Sequence, residues 1–301
     1  MNIGACVFIY VLVQRVGMDL PSGFADLVKA VTKAPPEKVR GPAIWDAFVR
    51  VIFLGGPRSD ADAAFLVAML KKTKLLDLDY ASSIGGEKWR DETTAFLRER
   101  LARIADEDAQ GIVESVLKDL FMLSASVKGA ARFFREKQLI ERIAEYTASP
   151  EKTAALVEEI VNSEDVTGVR YTKAIAWLHA IGRGEALAPP SRYVKDFVNK
   201  DIGPYYQFYD DDKYFMAKVQ EVAAEMKVAV RDVAVAAFYY RALKSLLPPR
   251  SRQSKAFTPA IVLTFLRSRK MTLAALAAAL GNNEEKAELM ERLNDYMDKH
   301  A

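Results

Sequence analysis

The residue with the clearest chemical potential is Lys173, which follows the glycine turn Thr167-Gly168-Val169-Arg170. A lysine amine can act as a nucleophile and form a Schiff base with a carbonyl carbon of a substrate. The amine reacts only without its proton, so its pKa must be lowered by burial or by a neighbouring cation such as Arg170. The alternative is a solvated lysine on a surface that faces phosphate.

The elements that position Lys173 are two predicted helices. One runs from Thr153 to Asn162, and the second runs from about Arg170 to Ile181. Two helices joined by a short glycine turn form an αα-hairpin. The turn presents backbone N–H groups and the positive end of a helix dipole, which together favour an anion such as a nucleic-acid phosphate. An ordinary hairpin inside a helical core is the competing interpretation.

The charge distribution around the turn favours nucleic acid. Only Glu185 and Asp196 are acidic between Gly168 and Lys200, whereas six residues are basic: Arg170, Lys173, Arg183, Arg192, Lys195 and Lys200. Interleaved tyrosines suit sugar or base packing beside phosphate contacts. We therefore predict that DNA is bound by Gly168, Arg170, Tyr171, Thr172, Arg192 and Lys195.

Composition excludes several kinds of site. The chain has 301 residues, half of them hydrophobic, a net charge of +3, one cysteine and two histidines. Such a chain cannot form an internal disulfide or a Cys/His zinc or iron–sulfur site, and we expect neither a metal nor a cofactor. The small net charge means that an acidic partner would be bound through a local patch. The plentiful charged residues and scarce Asn and Gln lean towards a thermophilic composition.

The N-terminal apolar run from Cys6 to Val13 is too short to span a bilayer, and no basic residue precedes it. It is interpreted as a buried first helix or a short strand. We therefore expect a cytoplasmic protein without a membrane partner.

Helical periodicity dominates the rest of the chain, and about fourteen or fifteen helices are predicted with boundaries uncertain by ~2–4 residues. Capping signals recur at Pro42, Ser59 and Ser149. The pairs Pro35-Pro36 and Pro248-Pro249 divide the chain into an N-terminal arm (1–35), a core (36–245) and a C-terminal helical extension (246–301). The stretch from Lys244 to Lys270 has no acid and is either a second phosphate-contact strip or a solvated surface. The partner of the extension is unknown.

A family resemblance rests on three segments. The stretch from Thr167 to Ala174 resembles the hairpin of the helix–hairpin–helix DNA glycosylases, written L-P-G-V-G-x-K-T-A, and Pro189-Pro190-Ser191-Arg192-Tyr193-Val194 resembles their P-V-D-x-H-V segment. The separation of Lys173 and Ser191 equals the lysine-to-acid spacing of the endonuclease III branch. The stretch from Val219 to Leu243 is similar to the closing helices of the archaeal 8-oxoguanine glycosylases, and Trp45 to Leu70 resembles the opening helix pair of the family's six-helix barrel. The resemblance covers roughly residues 40–245.

Two departures from the family pattern bear on the chemistry. Arg170 stands where the second glycine of the hairpin belongs, so an alignment on Gly168 and Ala174 puts Thr172 in the lysine column, whereas the spacing to Ser191 puts Lys173 there. Ser191 occupies the column of the family's aspartate, which stabilises the cationic sugar or assists proton transfer. A serine hydroxyl carries no charge for that task. Either Asp196 or Asp165 replaces it, or the chemistry is lost.

The resemblance implies an all-α, two-lobed fold of helix–hairpin–helix glycosylase type. It also implies a DNA N-glycosylase with AP-lyase activity that acts on a flipped damaged base, with Lys173 as the nucleophile. The alternatives are a catalytically inactive nucleic-acid-binding protein on the same fold and a helical protein-interaction subunit. Two further features have a structural interpretation: His179 is predicted to be a packing histidine, and Asp210-Asp211-Asp212 is predicted to cap the next helix rather than to bind magnesium. The aromatic residues before this cluster are consistent with a base-stacking pocket.

Overall fold

The computed structural model describes residues 20–246, apart from 22, 33–36, 56–57 and 204, together with 287 and 291. In these ranges the protein is helical and contains no β-strand, which confirms the all-α prediction. The helices are α1 (Phe24–Thr32), α2 (Ala43–Phe53), α3 (Asp60–Leu70), α4 (Leu78–Ser83), α5 (Gly86–Leu101), α6 (Glu107–Lys137), α7 (Leu139–Tyr146), α8 (Pro150–Asn162), α9 (Tyr171–Ala180), α10 (Arg192–Phe197), a π-helix (Val198–Ile202), α11 (Asp212–Met226) and α12 (Val230–Leu246).

The helix starts follow from the capping residues. Ser59 accepts from the Asp62 N–H while the Asp62 carboxylate accepts from the Ser59 N–H, which is the reciprocal capping box at the start of α3. Ser149 caps α8, with Pro150 in its first turn. Asp106 caps α6 through the Ala109 N–H. The predicted starts at Ser59 and Ser149 are confirmed.

The first hydrophobic cluster is built from α2 to α9. Its centre is a group of aromatic rings in which Phe48 lies 4.8 Å from Phe134 and 5.0 Å from Trp177. The Trp177 indole donates to the Ile44 carbonyl at 3.0 Å, which fixes α9 against α2. Because Lys173 lies one turn before Trp177 on α9, this packing brings Lys173 to the end of α2.

The second hydrophobic cluster combines α1 with α10, the π-helix, α11 and α12. Phe24 of α1 stacks on Phe197 at 4.4 Å, and the edge of Tyr240 meets Phe24 at 5.8 Å. Helices from opposite ends of the described chain therefore share one core, with the α2–α9 cluster inserted between them in sequence.

These clusters bear on the predicted segments. The only described helix of the predicted arm 1–35, α1, packs into the second cluster against α12. The apolar run from Cys6 to Val13 lies outside the described residues, and so does the C-terminal extension except for positions 246, 287 and 291. The assignment of the two clusters to the lobes of a glycosylase stays a prediction.

Candidate functional site: a half-buried lysine beside the Gly168 hairpin

Lys173 lies in the first turn of α9, and its side chain is half-buried. Its Nζ donates to the backbone carbonyl of Ile52 at 3.1 Å, in the last turn of α2. A Cβ atom built on Gly55 would lie 3.8 Å from the same Nζ, so the glycine loop after α2 passes directly beside the amine. We call Lys173, Ile52, Gly55 and Arg58 the lysine site.

The environment of the lysine site makes the amine less basic. Burial lowers the pKa of Lys173 to about 8, and the positive charge of Arg58 acts in the same direction. The neighbouring cation is thus Arg58, and the role proposed for Arg170 from the sequence is not what lowers this pKa. With a pKa of about 8, roughly one amine in ten is unprotonated at pH 7, and the unprotonated amine is the state that attacks carbon.

Arg58 is buried and firmly held. Its Nε donates to the Phe53 carbonyl at 2.9 Å, and its Nη1 lies 2.7 Å from the Asp119 carboxylate. Arg58 and Lys173 therefore both cover the carbonyl end of α2, where the helix dipole favours positive charge. This contact also gives Lys173 a purely structural role as a cap of α2.

No carboxylate of the described residues lies within 4.0 Å of the Lys173 amine, and none contributes to its pKa. Asp196 accepts from the Tyr209 hydroxyl at 2.6 Å and pairs with Lys200 at 3.2 Å. Asp165 is exposed. Ser191 caps α10 by accepting from the Val194 N–H at 3.4 Å. Neither of the acids considered as replacements for the family's aspartate contacts Lys173.

The glycine turn lies at the surface. Gly168 has φ +74° and is exposed together with Thr167 and Arg170, whereas Val169 is buried beneath them. The first backbone bond of α9 runs from the Ala174 N–H to the Arg170 carbonyl, so the three N–H groups before Ala174 have no helical acceptor. The first turn of α9 contains no acid, and Arg170 provides no side-chain cap. The turn therefore has the exposure and polarity that an anion contact requires.

The turn is seated on α6. Thr167 Oγ1 lies 3.3 Å from Ser126 Oγ, and the backbone of Asp165 approaches Gly129 so closely that a Cβ there would lie 2.6 Å from the Asp165 carbonyl carbon. Only glycine permits this approach. Gly129 thus fixes the height of the turn above α6.

A groove of about 450 Å³ opens on the other side of the turn, lined by Val161, Arg170, Tyr171, Asp210, Asp211, Asp212 and Lys213. The Tyr171 hydroxyl donates to Glu158 at 2.6 Å, and Glu158 also pairs with Lys213 at 2.9 Å. Tyr171 is therefore engaged in a structural contact. The three aspartates line the same groove as Arg170. Because their negative charges repel phosphate, a phosphate bound at the turn would have to lie outside this groove.

The remaining predicted DNA contacts differ in their exposure. Arg192 is exposed at the start of α10, and Thr172 is half-buried. Lys195 is buried, and its Nζ lies 2.6 Å from both the Tyr209 carbonyl and the Asp212 carboxylate. This amine holds α10 to the start of α11 and is not presented to solvent. A DNA contact by Lys195, as predicted from the sequence, would require this amine to leave both partners.

The other titratable features have structural roles. His179 Nε2 lies 3.2 Å from the Gly184 carbonyl and 3.0 Å from the Leu187 carbonyl, and burial of the ring lowers the pKa of His179 to about 4. Asp211 caps α11 through the Tyr214 N–H. Across the described ranges no group of three or more His, Cys, Asp or Glu residues is arranged to hold a metal ion. The packing role of His179 and the capping role of Asp211 are confirmed.

The glycine loop after α2 and Gly129 of α6 lie beside Lys173 and the Gly168 turn, and neither placement can be predicted from the local sequence. Gly55-Gly56-Pro57-Arg58-Ser59 is recognisable as a glycine loop, but it lacks a lysine of its own. In the structure, Lys173 of α9 lies beside this loop, although it is 121 residues away in sequence from its hydrogen-bond partner Ile52. Gly129 has no signal beyond being a glycine in a long helix.

Comparison with known proteins gives no match to a family model, to a curated protein or to a solved structure. Among the helices of the described ranges, none combines the length and the apolar character that a bilayer crossing needs.

Proposed function

We propose that the protein is a DNA-repair enzyme that attacks an abasic or damaged nucleotide through Lys173. The observation that carries the proposal is the half-buried amine with a pKa of about 8, beside a glycine loop and without a carboxylate partner. A lysine that served only as a surface charge would be solvated and fully protonated at neutral pH. The resemblance of the hairpin to the helix–hairpin–helix glycosylases supplies the substrate class.

The chemistry that this amine supports is addition to C1′ of the sugar. The unprotonated Nζ forms a bond to C1′. With an intact nucleotide, the base departs with the electron pair of the glycosidic bond and takes up a proton, and the C1′–O4′ bond then breaks with protonation of O4′ to leave an iminium ion. With the open aldehyde of an abasic site, the amine adds to the carbonyl and the resulting carbinolamine loses water to give the same iminium ion. The resulting iminium ion acidifies the C2′ proton, whose removal expels the 3′ phosphate. Before attack, Nζ must leave the Ile52 carbonyl, to which it is bonded at 3.1 Å.

The serine at position 191 shapes the expected substrate. Its hydroxyl caps α10 and offers no negative charge to a developing sugar cation. An abasic site has already lost its base and equilibrates with an open aldehyde, so it needs no such stabilisation, whereas cleavage of an intact glycosidic bond does. We therefore expect faster reaction with abasic DNA than with DNA that carries an oxidised base.

A second function is favoured by one observation: Lys173 and Arg58 together cover the carbonyl end of α2, a role that requires no chemistry. On this basis the chain would be a catalytically inactive nucleic-acid-binding protein in which the exposed Gly168 turn holds the phosphate backbone. The third class, a helical interaction subunit, would not bind nucleic acid at all.

Borohydride trapping tests the first proposal. The protein is incubated with a duplex that contains one abasic site or one 8-oxoguanine, reduced with borohydride, and resolved by denaturing electrophoresis. The expected result is a covalent adduct that disappears in Lys173→Met and persists in the control Lys72→Met, which removes an exposed lysine outside the site.

An adduct of equal yield in Lys173→Met would remove Lys173 from the role of nucleophile. Absence of an adduct combined with salt-dependent DNA binding would favour the inactive binding protein. A log–log salt slope near zero would exclude phosphate-led binding and leave the interaction subunit.

A further inference from the structure

A second groove, of about 500 Å³, adjoins the Gly168 turn on the α6 side. One of its walls is the stripe Phe121, Ala125, Lys128 and Arg132, which we call the α6 face. These positions are spaced by four, three and four residues and so share one side of the helix. The opposite walls are the start of α5 and the chain from Glu164 to Thr167.

The α6 face carries two positive charges, those of Lys128 and Arg132. Lys128 and Arg132 make no ion pair within 4.0 Å among the described residues, and Arg132 is exposed. Helix geometry puts their Cα atoms about 6 Å apart along the axis. Two cations at this separation can contact successive phosphates of one strand.

The same face ends in exposed apolar side chains. Phe121 is 68% exposed and its neighbour Met122 is 63% exposed. The Arg90 guanidinium lies 5.8 Å from the centre of the Phe121 ring. Exposed Phe and Met residues flanked by cations are typical of the wedges that proteins insert between base steps.

The groove is continuous with the turn. Thr167 lines the groove and contacts Ser126 of α6 at 3.3 Å, one residue before the exposed Gly168. A strand whose phosphate rests on the turn would thus lie next to the α6 face.

We propose that the α6 face carries the nucleic acid beyond the Gly168 turn, with Lys128 and Arg132 on its phosphates and Phe121 inserted at a base step. This inference rests on the proposed function only in taking DNA as the partner. The carboxylates of Glu164 and Asp165 line the opposite wall and direct the strand towards α6. Removing either of these carboxylates should therefore strengthen binding, whereas removing the α6 cations should weaken it.

The salt dependence of DNA affinity tests the charges. For the double variant Lys128→Gln/Arg132→Gln, the magnitude of the log–log salt slope should fall by about 1–2. The matched control Lys72→Gln/Arg98→Gln removes two exposed cations outside the groove and should leave the slope unchanged. Asp165→Asn should raise the affinity. Equal slopes in the double variant and its control would overturn the inference.

A fluorescent base analogue at the centre of a duplex tests the wedge. Its emission should rise when the protein binds, because insertion unstacks the neighbouring bases. Phe121→Ala should lose more than half of that rise, whereas Phe65→Ala, which removes a 38% exposed ring on α3, should keep it. An undiminished rise in Phe121→Ala would exclude this residue as the wedge.

The experiments distinguish the proposal that Lys173 is a nucleophile from the proposal that the α6 face binds DNA. If the adduct with Lys173 forms but the α6 variants bind like their controls, the chemistry stands and the α6 face is wrong. If the α6 variants weaken binding but no adduct forms, the surface stands and the enzyme is wrong. Absence of DNA binding in the unmodified protein would reject both.

Discussion

Replacing Gly129 with alanine should dislodge the Gly168 turn from α6. A Cβ at this position would lie 2.6 Å from the Asp165 carbonyl carbon and closer still to its oxygen, so the turn must retreat. Overpacking of this kind costs about 1–3 kcal/mol. The alanine itself favours a helix over glycine by up to about 1 kcal/mol.

Gly111 is the matched control, because it lies in the same helix, is exposed, and has no atom within 4 Å of an added Cβ. Gly111→Ala should gain the helix-propensity term alone. The gap in unfolding free energy between the two variants therefore measures the overpacking cost of about 1–3 kcal/mol. Urea unfolding gives both values if the denaturant slopes agree.

Displacement of the Gly168 turn in Gly129→Ala should also impair DNA binding and the reaction of Lys173. Gly129→Ala should reduce DNA affinity and adduct yield, whereas Gly111→Ala should leave both unchanged. If the two variants were equally stable, the close approach of Asp165 to α6 would not exist in solution and the described seating of the turn would be refuted.

Three further predictions concern the titrating and paired groups. Because the pKa of Lys173 is lowered to about 8, the trapping rate should rise about tenfold per pH unit below pH 8 and level off above it, and a flat profile between pH 6 and 9 would contradict an amine nucleophile. The pKa of His179 is lowered to about 4, so the unfolded chain, with a value of about 6.5, takes up the proton first as pH falls. Stability should therefore drop by about 2–3 kcal/mol between pH 7 and pH 4 through this residue, and unfolding of His179→Gln should show a shallower acid loss. Tyr171→Phe should cost about 1 kcal/mol of stability, because the bond to Glu158 is lost, and should change DNA affinity by less than about twofold; a tenfold loss of affinity would show that this hydroxyl contacts DNA after all.

Local signals in the sequence predict much of the fold. The α8–α9 hairpin, the caps at Ser59 and Ser149 and the capping role of Asp211 all depend on residues within a few positions of one another. Short-range hydrogen bonding determines these features, so they can be predicted from a single sequence. Lys173 is selected on the same local basis, as the lysine in the first turn after a glycine.

Contacts between residues that are far apart in the sequence cannot be predicted from these local signals. Burial in the fold lowers the pKa of Lys173, and Arg58 adds to this effect from a loop more than a hundred residues earlier; nothing in the local pattern connects the two residues. Lys195 belongs to a run of basic residues in the sequence, but its ion pair with Asp212 depends on the packing of α10 against the start of α11. A run of basic residues in the sequence indicates a positively charged surface. The fold determines which of these side chains remain exposed and which form buried ion pairs.

The core shared by α1 and α12 has a consequence for biosynthesis. The α2–α9 cluster has all its helices once the chain has been translated to about residue 180, whereas the partners of α1, which are α10 and α12, are made only after that point. Domains generally fold as units while the chain emerges, and exposed apolar segments are prone to aggregate in the interval. A ribosome-bound chain should therefore hold a finished central body with Phe24 and its neighbours still uncovered, and α1 is the segment for which a chaperone would be needed.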